Sequence, residues 1–189
     1  YSIQKEVFNS LMNMNLQDKK YELFNNNNKT LVFIGRLTKV KSISLLIHAL
    51  DILRNEGKQY KLLIIGDGPE KGKIKDDIMK LGLKNILLYG SCYDEYIIGE
   101  LLSFSDLTVS PGNIGLTVIH SLSYGTPVLT HNDFNNQMPE FEIIEDGISE
   151  SGKLIEEMPV KVLAYIALFD RMKSIRITDE REWRLPYTS

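Results

Sequence analysis

Cysteine is almost missing from this chain. Cys92 stands alone among 189 residues, which excludes an intrachain disulfide and a cysteine-built metal cluster and fits a reducing compartment. No apolar run approaches the ~20 residues that a membrane span requires. The opening YSIQKEVFNS lacks the basic-then-apolar layout of a secretory signal, so a cytoplasmic location is expected. Strong charge of either sign is also missing. The net charge is −3, so there is no broad attraction to nucleic acid, and any anion site must be local and built from few groups.

What is present is a regular alternation, in a chain long enough for one ordinary domain with a buried core. Residues 1–29 are polar and end in NNNNKT, which reads as a lead-in or linker. Val7, Leu11 and Met14 nevertheless fall at helical spacing and fit a short helix. Five short apolar runs follow: LVFIG (Leu31–Gly35), YKLLIIG (Tyr60–Gly66), NILLYG (Asn85–Gly90), LTVSP (Leu107–Pro111) and PVLTH (Pro127–His131). Each has the pattern of a strand buried on both faces.

Between the strands lie helical patterns. Ile43, Leu46, Ile47, Leu50 and Leu53 make one stripe that stops at Gly57. Pro69 opens a second helix that closes near Gly82, Asp94 is placed to N-cap a third, and GLTVIHSLSYG supplies a fourth. The alternation predicts a doubly wound, Rossmann-like α/β domain with a parallel sheet over residues 30–150. Residues 151–189 predict a terminal helix, in VKVLAYIALFDRMKSI, followed by an irregular tail.

Ligands of such sheets lie at the carboxyl ends of the strands. Gly35–Arg36, Gly66–Gly68, Gly90–Ser91 and Ser110–Gly115 all fall there, with glycine where a side chain would obstruct a ligand. GDGP (Gly66–Pro69) is one glycine short of a dinucleotide fingerprint, because Lys71 holds the third position, and it follows the second strand rather than the first. It reads as a tight turn that starts the next helix close to a ligand. GRLTKVKS (Gly35–Ser42) sets Arg36 just beyond a strand and Lys39 and Lys41 just before a helix. That is either an anion site or a solvated corner. In SPGNIGLTVIH, Gly112 and Gly115 permit positive φ and close backbone approach, so amides can turn inward at a helix head whose dipole adds positive charge. His120 faces either that cleft or the sheet.

Taken in order, GRLTKVKS, LLIIGDGPEKGKI, ILLYGSCYDEYIIGELLSFSDLTVSP, GLTVIHSLSYGTPV and PEFEIIEDG resemble the C-terminal, donor-binding half of GT-B glycosyltransferases. The set is most similar to the retaining family four, the glycosyl transferases group 1, from Leu31 to about Gly147. The resemblance implies that Arg36 and Lys41 bind the donor diphosphate and serve catalysis. It implies that Asn113, Ile114, Gly115, Leu116 and Thr117 offer amides to phosphate and sugar. Gly35, Gly66 and Gly68 would line the donor site, and Gly90, Ser91 and Tyr93 would lie beside the nucleobase.

The family's two glutamates, separated by seven residues, fall here on Gly112 and His120. A neutral imidazole keeps one acceptor nitrogen, so the resemblance turns His120 toward the ribose hydroxyls, while Asn113 is placed to substitute at the transferred sugar. Glu140 matches an acidic residue of a P-E-x-I pattern and is expected to cap the following turn.

The implied reaction moves a sugar, with retention, from a nucleotide-sugar to a saccharide or lipid-linked acceptor. The nucleotide-sugar is substrate, and no cofactor is implied. No Asp-x-Asp triplet occurs to hold a divalent cation on the diphosphate, so no metal is expected. An N-terminal GT-B half would bind the acceptor, so this segment alone is expected to bind donor and turn over little. Peripheral membrane association of the longer enzyme is a further expectation. Two alternatives share the fold: a sugar-nucleotide epimerase and a non-catalytic nucleotide-binding module.

Overall fold

The computed structural model describes residues 2–11, 28–131, 133–143 and 175–177. The expected terminal helix lies outside them. Five parallel strands form the sheet: β1 (Thr30–Ile34), β2 (Lys61–Ile65), β3 (Ile86–Gly90), β4 (Leu107–Ser110) and β5 (Val128–His131). A short β6 (Ile175–Ile177) pairs antiparallel with β5, so the tail read as irregular contributes a strand. The order is β3-β2-β1-β4-β5-β6. The chain winds outward from β1 through β3, then returns to lay β4 on the other side of β1. The loops after β1 and β4 therefore diverge at a switch point, where a crevice opens at the carboxyl edge.

Strand residues alternate between two packed faces, as a period of two requires. Leu31 and Phe33 of β1, Leu62 and Ile64 of β2, and Leu107 and Val109 of β4 pack with α2 (Ile43–Asn55) and with Ile74 of α3 (Lys71–Leu81). All five residues of the stripe read from sequence in α2 are buried. Val32, Leu63 and Ile65 face the other way, onto α1 (Ser2–Leu11), α4 (Glu95–Ser103) and Tyr124. The fifth helix, α5 (Thr117–Ser123), lies on this second face, where Ser121 Oγ and Thr108 Oγ1 of β4 are hydrogen-bonded at 2.9 Å.

Two expectations change. Val7 and Leu11 of α1 are buried in the second core cluster, so part of the supposed linker belongs to the core. β3 is only partly buried, because it sits at the edge of the sheet with one strand neighbour. Asp94 caps α4 as expected: its Oδ1 accepts from the amides of Tyr96 at 2.9 Å and Ile97 at 3.3 Å, a contact worth about 1 kcal/mol. Among the described residues, no helix is long and apolar enough to cross a membrane.

Candidate functional site

Three loops meet at the carboxyl edge, and backbone meets backbone. A side chain at Gly66, where φ is +146°, would run into the carbonyl oxygen of Gly35, and one at Gly68 would run into the backbone of Leu37. The same loops exchange hydrogen bonds, from the Leu37 amide to Asp67 O at 2.9 Å and from the Glu70 amide to Leu37 O at 3.0 Å. Glycine at 66 and 68 is thus demanded by the neighbouring loop, which is a different reason from room for a ligand.

The β4–α5 loop repeats this arrangement. A Cβ at Gly112 would collide with Val40 O and lie 2.7 Å from Lys41 Cα, and the Gly112 amide donates to Lys41 O at 3.1 Å. Neither Gly112 nor Gly115 has positive φ, contrary to the expectation from sequence. Gly112 is required by close approach. A Cβ at Gly115 would meet only Met138, at 3.7 Å.

Lys41 is brought into this crevice. Its half-buried Nζ donates to Asn113 O at 2.7 Å, a carbonyl that also accepts from Ser110 Oγ at 3.3 Å. Burial lowers the Lys41 pKa, and the nearby charge of Glu140 opposes that shift. Glu140 lies in a 3-10 turn (Pro139–Ile143). Its Oε2 is buried without a hydrogen-bond partner among the described residues, as is Asn113 Oδ1. Two unsatisfied acceptors and one ammonium therefore belong to one corner of the crevice. Arg36 is exposed and makes no side-chain hydrogen bond or ion pair among the described residues.

The head of α5 is partly occupied and partly open. Gln137 seals one amide: its Oε1 accepts from Ile114 N at 2.7 Å, while its Nε2 donates to Thr130 Oγ1 at 3.0 Å and His131 O at 2.7 Å. Ile114, expected to offer its amide to the donor, is already paired. Its side chain is fully buried with Val118, Val128 and Phe141. The amides of Gly115, Leu116 and Thr117 carry no intramolecular hydrogen bond among the described residues. Thr117 Oγ1 donates to Ile34 O at 3.0 Å and so ties the helix head to the end of β1, beside Gly35.

The β3–α4 loop is tied to the turn after β2 by the Gly66 amide, which donates to Gly90 O at 2.7 Å, and is otherwise open. Nothing comes within 4 Å of a Cβ built at Gly90; Ser91 is exposed and Tyr93 is 92% exposed. His120 sits between α5 and α4, its Nε2 3.8 Å from Glu95 Oε1, which also accepts from Tyr124 Oη at 2.6 Å. Sequence reading missed Gln137, Glu95 and Tyr124. Glu95 meets Tyr124 across 29 residues and Gln137 reaches the Ile114 amide across 23, so neither contact has a local signature.

Comparison with known proteins agrees with this architecture. The chain is 28% identical over 109 residues to the alpha-monoglucosyldiacylglycerol synthase of Streptococcus pneumoniae, covering 56% of this chain and 24% of that protein. It is 30% identical over 102 residues to a GDP-mannose-dependent alpha-(1-6)-phosphatidylinositol dimannoside mannosyltransferase of Mycobacterium tuberculosis, covering 52% of this chain and 26% of that protein. The chain thus spans about a quarter of the length of these relatives.

Among solved structures, a point mutant of S. aureus TarM in complex with fondaparinux, alpha-GlcNAc-glycerol and UDP superposes with a TM-score of 0.57 at 25% identity, covering 74% of this chain and 28% of that one. Anabaena HepE in complex with UDP and glucose gives a TM-score of 0.57 at 21% identity, covering 70% of this chain and 36% of that one. The sheet is the Rossmann-like one of GT-B glycosyltransferases. The family model described as "Glycosyl transferases group 1" matches residues 15–167, and the chain belongs to that family.

Proposed function

We propose that residues 30–150, together with α1, form the donor-binding half of a retaining glycosyltransferase that moves a sugar from a nucleotide-sugar to a lipid-linked or saccharide acceptor. The observation that carries this reading is Lys41 Nζ held on Asn113 O, in the same turn whose Gly115, Leu116 and Thr117 amides carry no intramolecular hydrogen bond among the described residues. The amides and the ammonium suit a diphosphate.

In the reaction, the bond between the anomeric carbon and the diphosphate oxygen breaks and negative charge collects on the departing diphosphate. Lys41 and the α5 amides stabilise that charge where it develops, in fixed positions that need no rearrangement. Arg36, exposed at the same edge, is the second cation of this binding set. Ser91 and Tyr93 would take the nucleobase side, where Tyr93 offers an uncovered ring. The acceptor would be bound by a part of the longer protein, at a cytoplasmic membrane surface where the acceptor is a lipid. The names of relatives acting on diacylglycerol and phosphatidylinositol derivatives support a lipid acceptor.

Calorimetric titration with UDP, GDP and pyrophosphate tests the reading. Binding of one nucleoside diphosphate, with pyrophosphate as a weaker competitor, is expected. No binding of any of the three would remove the donor-site assignment.

A further inference from the structure

Glu95 is the first residue of α4, the helix that begins at the carboxyl end of β3, so it stands on the ligand edge of the sheet. Its Oε1 is fixed by the hydroxyl of Tyr124 at 2.6 Å and faces His120 Nε2 at 3.8 Å. Its Oε2 has no hydrogen-bond partner among the described residues, and the side chain is 22% exposed.

The arrangement is built into the core. Tyr124 is only 2% exposed, and its ring crosses α4 at Gly99, where any Cβ would come within 2.7 Å of the ring and of Val7. Glycine inside a helix costs up to about 1 kcal/mol relative to alanine. Here that cost accompanies a ring packed against the helix at Gly99, whose hydroxyl reaches Glu95. Burial, and then the Glu95 carboxylate, push the Tyr124 hydroxyl well above the ordinary tyrosine value, so it remains a donor.

We infer that Glu95 is the carboxylate that receives the ribose diol of the donor nucleotide, with Tyr124 as its positioning residue and His120 beside it. The inference rests on the donor-site reading above. His120 lies one helical turn, about 5 Å, below the open amides at the head of α5. The ribose is joined to the diphosphate directly through C5′, so a diphosphate at those amides leaves the ribose hydroxyls within reach of the next helical turn. Two adjacent O–H donors need acceptors, and a carboxylate with one oxygen pinned and the other open supplies them. The position on α5 that the family resemblance assigns to a glutamate carries an imidazole in this chain. The negative acceptor comes across from α4 instead.

Glu95→Gln keeps the shape and the acceptor for Tyr124 while replacing the open oxygen by a donor. The test titrates the full chain and this variant with UDP, GDP, their 2′,3′-dideoxy analogues and pyrophosphate. The wild type should prefer the ribose form of its nucleotide over the dideoxy form by about tenfold or more. Glu95→Gln should abolish that preference, Tyr124→Phe should weaken it by several-fold, and pyrophosphate binding should be unchanged in both. A wild type that binds nucleotide with no ribose preference, or a Glu95→Gln protein that retains the preference, overturns this inference and leaves the donor site standing. A wild type that binds none of the ligands overturns the donor-site reading itself.

Discussion

Lys41→Met keeps the apolar stem of the side chain and removes only its charge. In the folded chain the ammonium is half-buried, and the cost of that desolvation lowers its pKa. Its hydrogen bond to Asn113 O offsets part of the cost, and when the lysine is gone that carbonyl still accepts from Ser110 Oγ. The expected change in stability is therefore small, within about 1 kcal/mol. Diphosphate binding should respond differently. A charge-assisted hydrogen bond to phosphate contributes about 2 kcal/mol, which is roughly 30-fold in Kd. The pH dependence supplies a second readout. The folded pKa lies below the unfolded value of 10.5, so the unfolded chain holds this proton more tightly. Stability should rise with pH in the window just below that value, and Lys41→Met should lack this part of the rise. Urea denaturation at about pH 7 and about pH 10, with calorimetry of UDP and pyrophosphate, covers both readouts. A folded variant whose Kd moves by less than about threefold would refute the placement of Lys41 on the phosphate. A stability loss above about 3 kcal/mol would make it a structural pin instead.

Two further changes probe the loops around it. Gly112→Ala forces a methyl group against Val40 O, so it should cost about 2 kcal/mol, lower Tm by roughly 4–8 °C, and weaken pyrophosphate binding as the loops separate. An unchanged melting curve would contradict the close approach. Gln137→Ala removes the acceptor of the Ile114 amide and should cost about 1–3 kcal/mol in urea denaturation. A neutral result would mean that water replaces the side chain at the head of α5.

The sheet was legible because its signals are local. Short apolar runs such as LLIIG, each ending in a turn residue, fit strands covered on both faces, and the α2 stripe has the helical period along its whole length. Lys41 and Asn113 were named separately from sequence, and the structure joins them across 72 residues. The reasons behind the glycines were not. Sequence shows that Gly66, Gly68 and Gly112 stand at strand ends, but only the folded backbone shows that another loop, and not a ligand, forbids their side chains. His120 was visible, but its pairing with Glu95 depends on how α4 and α5 lie across the sheet. The one local hint was Gly99, a glycine inside an apolar helix, and it points to a crossing ring only once that ring is identified as Tyr124. Gln137 gave no hint, since a polar residue in a loop has many uses.

Because the turns after β2 and β4 both mesh with the turn after β1, backbone against backbone, their lengths are coupled through it: an inserted residue in the β1 turn would disturb both contacts, and one in either neighbour would disturb its own. Evolution of donor choice on this scaffold is thereby steered toward side-chain exchange at those turns. Changes in loop length have free play chiefly beyond Gly90, where Ser91 and Tyr93 are exposed, so differences in base preference among relatives should accumulate there.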